Sequence, residues 1–253
     1  MQYFAMHYFL RIRGSRPVLQ PWAPATWWPT LLAGLFGWLI LSSAALAERP
    51  ANVAQAAEKP ATPTVLILGD SLSAAYGIER SDGWVTLLQD RLERQGYNYR
   101  VVNASISGET TAGGLRRLPK QLERHDPALV VVELGANDGL RGQSLNTMRS
   151  NLRQIVQLSQ NNGAAVLLLG MYIPANYGAA YVQKFHAVFV ELAAELETGL
   201  VDFMLEPIAF DESNFLADRI HPNAAAQPAL LEHLWPELSD QLVAPTTLVE
   251  PKK

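Results

Sequence analysis

The chain has 253 residues, 49% of them hydrophobic, with 20 basic and 24 acidic residues, a net charge of −4 and no cysteine. This is enough for one α/β domain with a sizeable core plus extra segments, and the acidic balance argues against nucleic acid or an anionic membrane surface as main partner. The missing cysteines exclude disulfides, thiolate metal sites and a lipid-modified N-terminal cysteine.

Residues 1–47 carry Arg11, Arg13 and Arg16 but no acid, so without them the net charge is about −7. An apolar run from Leu31 closes on Ala45-Leu46-Ala47. A basic stretch, an apolar stretch and small residues together read as a secretory signal cut after Ala47. The apolar run of 17 residues lies at the lower edge of a membrane span, so an uncleaved signal anchor stays open. Initiation at Met6 shortens the basic region only slightly. Residues 48–63 are rich in Ala, Pro and charge without periodicity and read as a flexible linker. Residues 242–253 read as a loose tail, leaving 64–241 as the working domain.

The first strand is expected over 64–69, a β-rich apolar run that stops at Gly69-Asp70-Ser71. Trp84, Val85, Leu87, Leu88 and Leu92 recur at helical spacing over 83–95, and Gly96 supplies the stop. A second strand follows over 97–103, then a helix over 111–125. The third strand, 128–134, reads Ala-Leu-Val-Val-Val-Glu-Leu, a nearly continuous apolar run that suits a strand covered on both faces. A loop over 135–142 leads to a long helix ending at Asn162-Gly163. The fourth strand (164–170), a loop (171–178), a helix (179–197) and a short fifth strand (200–203) come next. An irregular stretch over 206–222 precedes a last helix over 224–238. Five strands alternating with helices predict one three-layer α/β/α domain on a parallel, doubly wound, flavodoxin-like sheet.

In such a sheet the loops at the carboxyl ends of the strands gather on one edge and carry the ligand. Ser71 follows the first strand. It is either part of a helix cap or a nucleophile on a strand-to-turn corner. A serine hydroxyl attacks only when a base takes its proton. Of the five histidines, His7 lies in the signal, His125 ends a helix, and His186 and His233 fall within helices. His221 differs: it lies in a loop, three residues after Asp218 in Asp218-Arg219-Ile220-His221. That spacing lets the carboxylate accept from the Nδ1–H and orient the imidazole, although a local turn or helix cap would use the same residues. Donors for a developing oxyanion are available in the Ser71 N–H, the Gly108 N–H and the Asn137 amide. An Asx-turn is the structural alternative for Asn137.

Gly69-Asp70-Ser71-Leu72-Ser73, Ile106-Ser107-Gly108-Glu109-Thr110, Gly135-Ala136-Asn137-Asp138 and Asp218-Arg219-Ile220-His221 together resemble, in order, the four blocks of the SGNH (GDSL) hydrolases. The stretches 102–110, 133–142, 174–178 and His221-Pro222-Asn223 resemble the bacterial periplasmic thioesterase I/lysophospholipase L1 (arylesterase) branch of that family. The resemblance implies Ser71 as nucleophile, His221 as base, Asp218 as orienting acid, and Ser71, Gly108 and Asn137 as the oxyanion hole. It implies a loop over 139–144 that closes on acyl chains, with Leu140, Ile173 and Asn176 as substrate-binding residues; ordinary loop packing is the alternative for these three. It also implies an exported, periplasmic monomer acting on acyl esters, acyl thioesters and lysophospholipids. No cofactor or metal is expected, no nucleic acid, and no membrane contact except through an uncleaved signal. Ala136 and Arg219 stand where the family commonly has glycine. The alternatives are a carbohydrate O-deacetylase of the same fold and a silent binding module. A Gly-rich dinucleotide or phosphate loop after the first strand is absent.

Overall fold

The computed structural model describes residues 62–243. The expected signal (1–47), nearly all of the linker and residues 244–253 lie outside the described residues. Five parallel strands are present: β1 Thr64–Gly69, β2 Arg100–Asn103, β3 Pro127–Glu133, β4 Ala165–Leu169 and β5 Gly199–Val201. Their order in the sheet is β2-β1-β3-β4-β5. Every residue of β1 is buried, and in β3 all but Ala128, as continuous apolar runs covered on two faces require. One helical layer pairs α1 (Trp84–Arg94) with α6 (Gln227–Asp240). The other packs α2 (Thr111–His125), α4 (Leu145–Asn161) and α5 (Ala179–Leu196) together.

The chain runs from β1 outward to β2, then returns to β3 on the other side of β1. That reversal opens a crevice beyond the carboxyl ends of β1 and β3, the position where doubly wound sheets bind ligands. Gly69 at the end of β1 stands beside Glu133 at the end of β3.

Several elements differ from the sequence expectation: β3 (Pro127–Glu133 rather than 128–134) and β4 (Ala165–Leu169 rather than 164–170) differ by a residue at each end, and the larger differences have local causes. Strand β2 starts at Arg100 rather than 97, because the Tyr97 N–H donates to Leu92 O (2.9 Å) and closes the end of α1. The Tyr97 ring then packs edge-on against Trp235 of α6. As an edge strand, β2 bonds outward to a side chain of α1: Val101 N–H donates to Gln89 Oε1 (2.7 Å). The expected loop over 135–142 contains a short helix, α3 (Ala136–Leu140). Its buried Asp138 accepts from Thr111 N–H (2.9 Å) and Thr111 O–H (2.6 Å), capping α2 from a distance. Strand β5 ends at Val201, where the chain turns and Met204 N–H donates to Gly170 O (2.9 Å). The last helix begins at Gln227 after a 3₁₀ turn, Ala224–Ala226, capped by the Asn223 side chain. At the C-terminal end, Leu242 is buried and Val243 N–H donates to the Tyr99 hydroxyl (3.1 Å), so packing extends past 241.

Candidate active site

Ser71 occupies the first position of a tight turn after β1. The turn is held by Ala74 N–H donating to Asp70 O (3.0 Å) and Tyr76 N–H to Ser71 O (3.2 Å). It lies close against the strand ends because residue 69 is glycine. A Cβ there would stand 2.8 Å from Glu133 Oε2 and 2.9 Å from both Ser105 Oγ and Ser73 Cβ.

From the opposite side comes a loop folded into a small hairpin over residues 214–223. Leu216 N–H donates to His221 O (2.8 Å), Asn223 N–H to Asn214 O (2.8 Å), and Phe215 bridges Pro222. At its tip Asp218 is surrounded by donors from its own loop. Oδ1 accepts from Ile220 N–H (2.9 Å) and His221 N–H (3.0 Å), and Oδ2 lies 2.7 Å from His221 Nδ1. These bonds, the His221 amide foremost, lower the Asp218 pKa from 3.8 to about 2. An ionised Asp218 accepts only, so Nδ1 carries the imidazole proton and Nε2 is left as acceptor. Nε2 stands 2.9 Å from Ser71 Oγ, in position to receive the hydroxyl proton. Tyr76, half exposed, lies against the imidazole face with ring centroids 4.4 Å apart.

Asn137, on α3, turns its amide toward the same turn and donates from Nδ2 to Asp70 Oδ2 (2.8 Å). Asp70 also accepts from Leu72 N–H at Oδ1 (3.0 Å), so it shapes the turn and holds Asn137 as well. Gly108 adopts φ +77°, a conformation open to glycine. Its loop is tied to the site by Ile106 N–H donating to Gly69 O (3.0 Å) and by Arg141 Nη2–H donating to Gly108 O (2.9 Å). Among the described residues, the N–H groups of Ser71 and Gly108 meet no protein acceptor, and the second Asn137 Nδ2 hydrogen is likewise free.

Ser71, Asn137 and His221 open onto a cavity of about 780 Å³ with mainly apolar walls. Leu140 and Ile173 line it as the sequence suggested, joined by Tyr172, Phe203 and Phe215; Phe210, 96% exposed, stands at its edge. Asn176 is exposed on the 3₁₀ turn Ala175–Tyr177 and does not line the cavity; its neighbour Ala175 does. Gly108 also lies outside the lining. Arg219 has φ +59°, a left-handed conformation that its Cβ disfavours, which explains why glycine suits this position. Two of the helical histidines have partners away from Ser71. His186 is buried under Tyr172 with Nε2 3.2 Å from Asp202 Oδ1, and His233 Nε2 lies 2.9 Å from Phe203 O.

The family model for GDSL-like lipase/acylhydrolases matches residues 67–228. The chain belongs to this family. It is 51% identical over 185 residues to esterase TesA of Pseudomonas aeruginosa, covering 73% of this chain and 92% of that protein. It is 43% identical over 178 residues to thioesterase 1/protease 1/lysophospholipase L1 of Escherichia coli strain K12, covering 70% and 84%. Among solved structures, TesA superposes with a TM-score of 0.69 at 52% identity, covering 71% of this chain and 99% of that one. The psychrotrophic esterase EstA from Pseudoalteromonas sp. gives 0.68 at 42% identity, covering 70% and 97%. The chain is accordingly an ester and thioester hydrolase of the serine-esterase type.

Two features of this acylhydrolase site escape a reading of the sequence. Tyr76 meets His221 only through the fold, and nothing in the turn around it announces the contact. Glu133 did leave a signal: one carboxylate in an apolar strand, where burial is costly unless the group is partnered or neutral. It is fully buried, and its Oε2 accepts from Asp70 N–H (3.0 Å) and Ser73 O–H (2.8 Å).

Proposed function

We propose that Ser71 attacks the carbonyl carbon of acyl esters and thioesters, with His221 as general base and Asp218 as the acid that orients it. The observation that carries this is the unbroken chain Ser71 Oγ, His221 Nε2, His221 Nδ1, Asp218 Oδ2, at 2.9 and 2.7 Å, on an apolar cavity. As Oγ bonds to the carbonyl carbon, its proton passes to His221 Nε2, and Asp218 stabilises the imidazolium. The carbonyl oxygen becomes an oxyanion and receives hydrogen bonds from Ser71 N–H, Gly108 N–H and the free Asn137 N–H. Collapse expels the alcohol or thiol, which takes the proton from His221, and leaves the acyl group on Ser71. Water then attacks by the same route in reverse, losing its proton to His221, and Ser71 regains its hydrogen as the acid departs.

The cavity supports an aliphatic or aryl acyl group as substrate, with Leu140 and Ile173 against the chain. An acetylated sugar would leave most of these apolar walls uncovered. Lysophospholipids belong in the substrate panel because the E. coli relative carries lysophospholipase in its name. Export to the periplasm, with the signal removed after Ala47, completes the reading. It rests on the basic and apolar pattern of residues 1–47 and is tested by N-terminal sequencing of the exported protein.

The deciding experiment compares the parent with Ser71→Ala on p-nitrophenyl esters and acyl thioesters, alongside organophosphonate labelling. EstA was solved in a form inhibited by monoethylphosphonate, which makes that reagent class the natural probe. Turnover should fall at least about 10⁴-fold with the fold intact, and labelling should vanish. Near-normal turnover in Ser71→Ala sinks the assignment.

A further inference from the structure

Strand β3 is apolar from Leu129 to Val132 and then places a carboxyl group, Glu133, beyond the reach of solvent. A carboxylate moved out of water either finds a cation or gives up its charge. No cation contacts Glu133 among the described residues; its partners are Asp70 N–H and the Ser73 hydroxyl, both on Oε2. Oε1 is buried and receives no donor. A second buried carboxyl group, that of Asp70, 1% exposed, belongs to the residue whose N–H bonds Glu133 Oε2 (3.0 Å), so the two carboxyl groups are neighbours at the ends of β1 and β3.

Two neighbouring buried carboxyl groups without a cation do not both ionise readily, so the pair holds one proton. The donors show where that proton resides. Burial raises the Asp70 pKa as well, but Leu72 N–H at Oδ1 and Asn137 at Oδ2 oppose that rise, so Asp70 is the partner that holds the charge. Glu133 Oε1, which nothing donates to, is the oxygen left to carry hydrogen. Burial first, and the Asp70 charge second, raise the Glu133 pKa well above the usual carboxylate range. The titratable group facing Glu133 is Asp70, and the charge of His221 in turn favours an ionised Asp70. The other polar neighbours are the hydroxyls of Ser73 and Ser105.

We propose that Glu133 is a protonated positioning residue: its O–H keeps Asp70 an acceptor, and Asp70 thereby fixes Asn137 with its amide nitrogen, not its oxygen, toward the substrate carbonyl. Were Asp70 protonated, the Asn137 amide could turn over and present oxygen where the oxyanion forms. Were Glu133 ionised, two adjacent charges would repel and loosen the same contact. The inference rests on the reading of Asn137 as an oxyanion donor.

The test uses purified protein, a p-nitrophenyl ester and the variants Glu133→Gln, Glu133→Leu, Asn137→Ala and Asn137→Ala/Glu133→Leu. In the parent, kcat should fall at alkaline pH while KM stays within about threefold, because Glu133 ionisation disturbs a transition-state contact. Glu133→Leu should lower kcat on the order of 10–100-fold, less than full loss of an oxyanion donor. Glu133→Gln, whose amide still donates to Asp70 and accepts from Ser73, should rescue most of that loss and abolish the alkaline fall. In the Asn137→Ala background, Glu133→Leu should cost nothing further in kcat. An additive loss in the double variant overturns the proposal, as does an alkaline fall that persists in Glu133→Gln. If Glu133→Leu does not fold by circular dichroism, the Glu133→Gln profile decides alone. Organophosphonate titration separates the two levels: a parent not labelled at Ser71 overturns the functional reading and this inference together. A fully labelled parent that fails the pH and coupling tests overturns only the role of Glu133.

Discussion

The two sides of the active site are held by different physics. On the nucleophile side, Asp70, Ser73 and Glu133 are buried, and their hydrogen bonds tie β1 to β3 across sixty-odd residues of chain. On the base side, Asp218 keeps 38% of its side chain exposed and takes its donors from within three residues. A buried polar network is costly to break, because each orphaned group loses water as well as its partner. An exposed one is screened, and water replaces what is removed. Changes on the nucleophile side should therefore damage stability and activity together, and changes on the base side should damage activity with at most a small loss of stability.

The largest test of that contrast is His221→Ala. It should reduce kcat by about 10⁴-fold or more, while the thermal midpoint measured by calorimetry stays within about 2 °C of the parent. A large drop in midpoint would show the hairpin to be structural. Asp70→Asn probes the other side. It should lower kcat by roughly 10²-fold through Asn137 and also destabilise the fold by about 1–3 kcal/mol, read by urea unfolding. Loss of activity with unchanged stability would erase the contrast.

Asp218 supplies a third and smaller test, through pH. Its folded pKa lies below its ordinary value of 3.8, so its contribution to stability is complete above that value and disappears as pH falls toward about 2. The parent and Asp218→Asn should thus differ in thermal midpoint at neutral pH and converge toward pH 2. A difference that persists unchanged would assign the stabilisation to another group. The smallest effect belongs to Arg219→Gly, which removes a left-handed strain of about 1 kcal/mol but adds unfolded-state entropy of similar size. The net change should stay under about 1 kcal/mol with kcat unchanged within about twofold.

The same contrast explains what the sequence made legible. The apolar runs of β1 and β3 announced buried strands, and the Asp218/His221 pair announced itself because its parts are neighbours in the chain. Local spacing carries local geometry. The contacts that escaped are long-range: Tyr76 against His221, Asp138 capping α2, and the Asp70–Glu133 pair. Asn176 shows the converse case. It sits beside lining residues in the chain, but the 3₁₀ turn directs it to solvent rather than into the cavity. Strand ends moved for a similar reason, since at Tyr97 an amide required by the end of α1 was no longer free for the sheet.

The hairpin over residues 214–223 has one further consequence. Its ends are closed by Asn223 N–H to Asn214 O and by the Phe215–Pro222 bridge, and its acid and base bond to each other before either meets Ser71. Asp218 and His221 therefore form a local unit of ten residues whose mutual bond is made within the hairpin. Changes at residues 219 and 220 therefore leave the Asp218–His221 bond in place as long as the hairpin closes. The nucleophile side offers no comparable freedom, because its parts are drawn from separate strands.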